Sequence, residues 1–207
     1  LYRNGAADFD LTESDVTKVD FAPLAALVVT GTALAAEPSR AASLLAIRRA
    51  RAAGALVVLD IDYRAYSWAG RDEAADVCLM AARAADIVVG NDEEFALLAR
   101  GPGGLELARQ IAGETALLVV YKQGAAGSVT LTADYQFVTG IYPVSALKPT
   151  GAGDGFMGGL LAGLAQGQTI DAAVRRGSAT AAIIVSGIGC APASPDLAMI
   201  ETFLAQY

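Results

Sequence analysis

The chain has 207 residues, 54% of them hydrophobic, which is enough apolar material for the core of one sizeable α/β domain. Its 22 acidic and 15 basic residues give a net charge of -7, and the basic residues are scattered, so no nucleic-acid partner is expected. The sequence has no histidine, and its two cysteines lack zinc-site spacing. These features exclude His-based catalysis within this chain and predict a cytoplasmic setting.

No apolar run reaches the roughly 20 residues that span a bilayer, so we expect no membrane partner. The first residues, LYRNGAADFDL, do not resemble a signal peptide. The chain does not begin with Met, and we expect a further segment upstream of it.

Short runs rich in Val and Leu alternate with longer Ala-rich segments, which is typical of a mostly parallel sheet covered by helices. The predicted strands are residues 26–30, 55–60, 87–89 and 117–121, and the predicted helices are residues 38–53, 71–84, 92–99 and 104–112. Polar/apolar alternation between glycines then predicts an antiparallel hairpin over residues 127–140. Three more helices are predicted at residues 153–165, 170–186 and 195–205. We therefore predict one α/β domain over residues 1–207.

The most informative stretch is residues 148–163, KPTGAGDGFMGGLLAG. Gly151 and Gly153 allow backbone torsions that let successive N–H groups converge at the start of the following helix, where anions bind. Asp154, in the first turn, could accept a proton from a hydroxyl that attacks a phosphoryl group. Taken alone, the GxGD pattern is more typical of a simple helix N-cap than of an anion site.

The longer string resembles the signature of the ribokinase family, also called the phosphofructokinase-B family, whose members carry an Asp-Thr-x-Gly-Ala-Gly-Asp block in the final third of the chain. The resemblance implies a ribokinase-like three-layer α/β/α fold with a mostly parallel central sheet. It also implies that Asp154 is the catalytic base and that the backbone of Gly151, Ala152 and Gly153 forms the anion hole for the transferred phosphate. The implied cofactors are ATP and Mg²⁺.

A second segment, residues 91–94 with the sequence NDEE, matches the family's Asn-x-x-Glu in order and spacing. The resemblance implies that Asn91 and Glu94 hold magnesium, in part through water, and hard oxygen ligands suit that ion. By itself the segment is a strand end followed by an acidic helix start.

A third segment, residues 121–127 with the sequence YKQGAAG, resembles the family's turn beside the nucleotide. The resemblance implies that Lys122, Gly124 and Gly127 bind ATP, whereas the bare sequence is only a hairpin turn with a lysine. The GIGCAP segment that starts at Gly187 would border the adenine.

The opening of the GAGD block departs from the family. Its usual Asp-Thr is replaced by Lys148-Pro149, and in the family that Asp helps to hold a monovalent cation beside the anion hole. We hypothesise that the Lys148 ammonium takes the place of the cation. The alternative is an ordinary surface lysine.

The Lys-Pro opening, the DIDYRAYSW of residues 60–68 and the start LYRNGAADFDL resemble the family's myo-inositol catabolic branch, which phosphorylates 5-dehydro-2-deoxygluconate. This implies ATP-dependent transfer to a primary hydroxyl of a keto-sugar acid. Arg3 and Arg64 match the arginines that bind the substrate carboxylate, for which guanidinium groups are suited. An ion pair of Arg64 with Asp60 or Asp62 is the alternative.

Two other functions stay open at this point: a 2-dehydro-3-deoxygluconate kinase, and a non-catalytic nucleotide-binding module. Family members run to about 300 residues, so we expect the first strands and most of the lid over the sugar to be missing from this chain. Because the family's lid strands commonly build dimers, a homodimer through the lid is a further expectation.

Overall fold

The computed structural model describes residues 6–148, 150–189 and 191–207. The chain divides into two compact units. The first unit is Leu1–Gln123 with Val129–Phe137, and the second unit is Gly124–Ser128 with Val138–Tyr207. The predicted single domain stays a prediction. In the described part of the chain, no helix combines the length and apolar character that a membrane crossing requires.

Six strands form one sheet, in the spatial order β1 to β6. They are β1 (Ala26–Thr30), β2 (Leu56–Asp60), β3 (Ile87–Asn91), β4 (Leu118–Lys122), β5 (Ser128–Leu131) and β6 (Gln136–Thr139). Strands β1 to β4 pair in parallel. Residues 132–135 alone join β5 to its neighbour β6, a connection short enough only for an antiparallel hairpin. The predicted α/β class, with a mostly parallel sheet and a hairpin, is confirmed.

Seven of the eight α-helices described lie in the segments where helices were predicted, and α1 was not predicted. They are α1 (Glu13–Thr17), α2 (Ser39–Ala52), α3 (Arg71–Ala84), α4 (Asp92–Leu98), α5 (Gly104–Glu114), α6 (Ala152–Ala165), α7 (Ile170–Ser186) and α8 (Leu197–Leu204). The unpredicted α1 is one short turn that starts at a capping box between Thr12 and Asp15. Hydrogen bonds from Thr12 and Lys18 lower the pKa of Asp15 to about 2.

The core of the first unit forms where the strands meet the Ala-rich faces of α2, α3 and α5. Val57, Leu59 and Val88 join this core, and the small side chains of the helices allow them to lie close to the sheet. Val58 and Val89, which alternation places on the opposite face of the sheet, are also buried. Burial on both faces explains why the parallel strands read as continuous apolar runs rather than as an alternation.

The parallel pairing brings the carboxyl ends of β2, β3 and β4 to one edge of the sheet. Asp60, the last residue of β2, pairs with Val89 of β3, and Asn91, the last residue of β3, pairs with Lys122 of β4. Ligand sites of parallel α/β sheets form outside the carboxyl ends of their strands. The fold therefore places Asn91 and Lys122 side by side at the edge where a site is expected.

The helices α6 and α7 of the second unit pack closely through glycines. A Cβ atom added at Gly159 would lie 2.9 Å from the carbonyl oxygen of Arg176 and 2.9 Å from the Cα atom of Gly177. One added at Gly158 would meet no atom within 4 Å. The two adjacent glycines thus differ in their surroundings: Gly159 is required by the packing, and Gly158 is not.

We predict opposite effects for alanine at these two glycines. Gly159→Ala lowers the free energy of unfolding by about 1–3 kcal/mol, because the added methyl group has to push apart two helix backbones. Gly158→Ala, its matched control, raises the free energy of unfolding by about 0.5–1 kcal/mol, since alanine favours the helix. Urea denaturation measures both variants, and equal effects would contradict the described helix packing.

Candidate active site

The start of α6 has the geometry of an anion site. Gly151, at the N-cap, has a φ of 88°, in the left-handed region that favours glycine, and its carbonyl accepts the N–H of Gly155 over 2.9 Å. No side chain of the described residues caps this helix end. The N–H groups of Ala152 and Gly153 in the first turn therefore lack intrahelical partners, and the helix dipole adds positive potential at the same point. Asp154 lies in this turn and is exposed.

A cavity of about 480 Å³ opens along α6 in the second unit. Gly151 and Asp154 line it, and further walls come from α7, α8 and the segment between those two helices. From that segment Ala191, Ser194 and Pro195 contribute. Part of the predicted adenine border, GIGCAP, thus lies against the same cavity as Asp154, whereas Cys190 falls outside the described residues.

Sequence reasoning missed Arg176, which also lines this cavity. Its side chain is buried, and its Nη1 donates to Oε1 of Gln166 over 2.6 Å. Its Nε has no hydrogen-bond partner in the described part of the chain. In the sequence, Arg176 is one of two adjacent arginines in α7, and nothing in that pattern distinguishes it from the exposed Arg175. Arg176 brings positive charge to the cavity wall.

Lys148 lies next to the Gly151 turn in the chain and contacts its backbone. Its Nζ donates to the carbonyl oxygen of Thr150 over 3.0 Å. The backbone N–H groups of Leu147 and Lys148 both donate to the carbonyl oxygen of Val185 near the end of α7, over 2.8 and 3.3 Å. The lysine ammonium is therefore held at the backbone that leads into the predicted anion hole.

In the first unit, Asn91 and Glu94 form a capping box at the start of α4. The N–H of Glu94 donates to Oδ1 of Asn91 over 2.8 Å, and the N–H of Asn91 donates to Oε2 of Glu94 over 2.7 Å. Oε1 of Glu94 accepts the N–H of Tyr63 over 3.2 Å. Each carboxylate oxygen thus anchors a different backbone segment, one after β2 and one at the end of β3.

The environment of Glu94 sets its protonation. The side chain is 5% exposed, and this burial raises the pKa of its carboxyl group. The hydrogen bonds from Asn91 and Tyr63 and the positive charge of Lys122 act in the opposite direction and lower the pKa. The positive charge of Lys122, at the end of β4, thus favours the charged form of Glu94 in the first turn of α4.

The side chains at this edge suit magnesium only if water and phosphate oxygens supply most of the ligands. Asn91 and Glu94 offer amide and carboxylate oxygens, the ligand type that magnesium prefers, but these oxygens already accept hydrogen bonds from backbone N–H groups. The described residues contain no cluster of three or more His, Cys, Asp or Glu side chains suited to a metal. The two residues therefore fit an ion held mainly through water and phosphate oxygens.

The backbone conformation of the turn after β4 requires its two glycines. Gly124 has a φ of 55° and Gly127 a φ of 89°, both in the left-handed region. A Cβ atom on Gly127 would also fall on the carbonyl oxygen of Thr139. Gly124 is exposed, whereas Gly127 is buried and its N–H donates to the carbonyl oxygen of Gly124 over 3.1 Å. The turn geometry alone therefore accounts for both glycines.

Of the two predicted substrate arginines, one lies in the described part of the chain. Arg64 is half exposed, and its Nη2 lies 2.6 Å from Oδ1 of Asp62. The ion pair weighed as an alternative therefore forms with Asp62. Arg3 lies outside the described residues.

The predicted residues thus form two groups, one in each unit. Asn91, Glu94, Lys122 and Arg64 belong to the first unit, where the first three surround one edge of the sheet. The predicted anion hole, Asp154 and the glycines of the β4–β5 turn belong to the second unit.

Comparisons with known proteins point in one direction. The model of the pfkB family of carbohydrate kinases matches residues 1–197. Among curated proteins, the chain is 37% identical to the 5-dehydro-2-deoxygluconokinase of Geobacillus kaustophilus, with 100% of the chain and 63% of that protein covered. It is 40% identical to the enzyme of the same name from Photobacterium profundum, at 99% and 63% coverage. The chain thus spans about 63% of the length of these relatives.

Solved structures agree with the fold. A fructokinase of Vibrio cholerae, with fructose, ADP and potassium bound, superposes with a TM-score of 0.85 at 30% identity, covering 94% of this chain and 64% of that one. An aminoimidazole riboside kinase of Salmonella enterica, bound to its riboside and an ATP analog, gives a TM-score of 0.84 at 25% identity, with 99% and 70% covered.

We predict that Asn91 stabilises the protein as a helix cap, whatever else it binds. Asn91→Ala lowers the free energy of unfolding by about 1 kcal/mol, because Glu94 loses the acceptor for its N–H group. Asn91→Ser keeps a capping oxygen and serves as the matched control, with stability near that of the wild type. Denaturant unfolding of both variants measures this, and an alanine variant as stable as the wild type would show that the cap contributes nothing.

Proposed function

This chain belongs to the pfkB family of carbohydrate kinases, and we propose that its protein transfers the γ-phosphoryl group of ATP to a primary hydroxyl of 5-dehydro-2-deoxygluconate. The names of the curated relatives support this acceptor. The observation that carries the proposal is the uncapped start of α6, with Gly151 in the left-handed conformation and Asp154 in the first turn. It joins an anion site and a carboxylate in one helical turn.

In the proposed mechanism, Asp154 accepts the proton of the attacking hydroxyl. The N–H groups of Gly151, Ala152 and Gly153 bind the oxygens of the phosphoryl group during transfer. Both groups lie on the same rigid turn, so they need no reorganisation as charge develops. Phosphoryl transfer depends mainly on positioning and charge stabilisation, and a helix N-terminus supplies both.

A further group of predicted residues concerns the nucleotide. We propose that Lys122 and the backbone of Gly124 and Gly127 bind ATP, in keeping with the nucleotides in the structures of similar kinases. Asn91 and Glu94 would hold magnesium, largely through water. When bound, magnesium neutralises charge that develops on the phosphates. Arg64, and Arg3 with it, would bind the carboxylate of the acceptor.

A cytoplasmic location and a homodimer formed through a lid stay predictions. The alternative acceptor, 2-dehydro-3-deoxygluconate, also carries a carboxylate, so the arginines alone do not decide between the two acids.

The role of Asp154 has a direct test. Asp154→Asn is expected to bind ATP as the wild type does but to lose turnover by about a hundredfold or more, because its amide cannot accept the proton. Asp171→Asn is the matched control, since Asp171 occupies the first turn of α7 and pairs with Arg175 on the surface. A steady-state kinase assay compares the variants at saturating substrates. A near-wild-type rate for Asp154→Asn would overturn the mechanism.

The contact of Lys148 with Thr150 supports a second prediction. We propose that the lysine ammonium supplies the positive charge that a monovalent cation brings in other family members, and so the activity of the wild type changes little when potassium replaces choline. Lys148→Ala should lose activity and recover part of it with potassium, because the ion can then occupy the vacated carbonyl oxygen. The assay is the kinase rate against potassium concentration. A many-fold rise for the wild type would contradict the proposal.

A further inference from the structure

Asp62 has an unusual backbone for a residue with a side chain. It follows β2 and has a φ of 34°, in the left-handed region. Asp and Asn adopt this region more readily than other residues, and strained residues of this kind persist where the surrounding structure fixes them. The contacts of Asp62 and of its neighbour Tyr63 therefore indicate the role of this conformation.

A buried framework fixes the residue on two sides. Oδ2 of Asp62 accepts the hydroxyl of Thr32 over 3.0 Å, and this hydroxyl lies 2.9 Å from that of Thr30. Thr32 is 6% exposed, so this hydrogen bond is shielded from water. On the other side, the N–H of Tyr63 donates to the buried carboxylate of Glu94 over 3.2 Å. The segment is thus attached to the turn that follows β1 and to α4.

The second oxygen of Asp62 serves the arginine. Oδ1 of Asp62 lies 2.6 Å from Nη2 of Arg64, and Nη1 of Arg64 donates to the carbonyl oxygen of Tyr63 over 3.2 Å. The side chain of Asp62 is 24% exposed and that of Arg64 is 49% exposed. Asp62 therefore bridges a buried hydroxyl and a half-exposed guanidinium group.

We propose that Asp62 is a positioning residue, which aims the guanidinium group of Arg64 at the carboxylate of the acceptor. The inference rests on the proposed function, in which Arg64 binds that carboxylate. A guanidinium group has five N–H donors in a planar fork, so contacts to Asp62 and Tyr63 leave donors for a second carboxylate. Holding a long side chain in place before binding reduces the entropy lost on binding.

Other roles for Asp62 predict a different change in acceptor binding when its carboxylate is removed. If Asp62 instead competed with the acceptor for Arg64, its removal would strengthen acceptor binding. If Asp62 only stabilised the loop, its removal would lower the melting temperature without selective loss of acceptor binding. Positioning predicts weaker acceptor binding, with ATP binding and the rate at saturation little changed.

The test uses Asp62→Asn in the full-length protein. Asn keeps the left-handed backbone and the acceptor for Thr32 but cannot form the ion pair. We expect the dissociation constant of 5-dehydro-2-deoxygluconate, measured by calorimetry with a non-hydrolysable ATP analogue, to rise about fivefold, the scale of one partly exposed ion pair. Asp76→Asn, which removes a 2.6 Å ion pair with Arg100, is the matched control and should leave this constant unchanged.

The same measurement in an Arg64→Ala background completes the cycle. Positioning predicts that Asp62→Asn has no further effect there, since its target is gone. A lower or unchanged dissociation constant for Asp62→Asn alone overturns the positioning role. An unchanged constant for Arg64→Ala overturns the carboxylate role of Arg64 and, with it, the inference. If the wild type binds the acid without phosphorylating it, the proposed reaction fails while the binding cycle still decides the role of Asp62.

Discussion

The first unit depends on one buried carboxylate. Glu94 receives the backbone N–H of Asn91 at the end of β3 and that of Tyr63 after β2, so it fixes two neighbouring strand ends relative to each other. Burial, the largest effect, and the negative charge of Asp62 hold the pKa of this carboxyl group above its usual value, and the N–H donors and the charge of Lys122 offset part of that rise. One side chain thus links the segment that carries Arg64 to the residues expected beside the phosphates. Loss of its charge would disturb both.

In the second unit, the proposed anion site depends on the conformation at the start of α6. Gly151 turns the chain without a side chain in the way, and Lys148 binds the backbone just before it. Close packing of α6 on α7 through Gly159 keeps the helix rigid. Because phosphoryl transfer needs little from the protein beyond positioning and charge, a rigid helix start with one carboxylate is suited to the proposed transfer step.

Much of this organisation could be predicted from local pattern. The bounds of β1, α3 and α7 follow from apolar runs and Ala-rich periodicity, and the GAGD turn follows from its glycines. The short α1 was missed because one capped turn has almost no periodicity. The bonds from Thr32 to Asp62 and from Tyr63 to Glu94, and the burial of Arg176, could not be predicted, since they join residues far apart in the chain or depend on packing.

The central claim is that the protein is a kinase for a keto-sugar acid, and its most direct test is ATP- and magnesium-dependent phosphorylation by the full-length protein. Three acceptors are compared side by side: 5-dehydro-2-deoxygluconate, 2-dehydro-3-deoxygluconate and ribose. The account predicts selective turnover of the first. Preference for the second would place the protein in the neighbouring branch of the family, and binding of ATP without turnover of any acceptor would contradict the account in favour of a non-catalytic nucleotide-binding module.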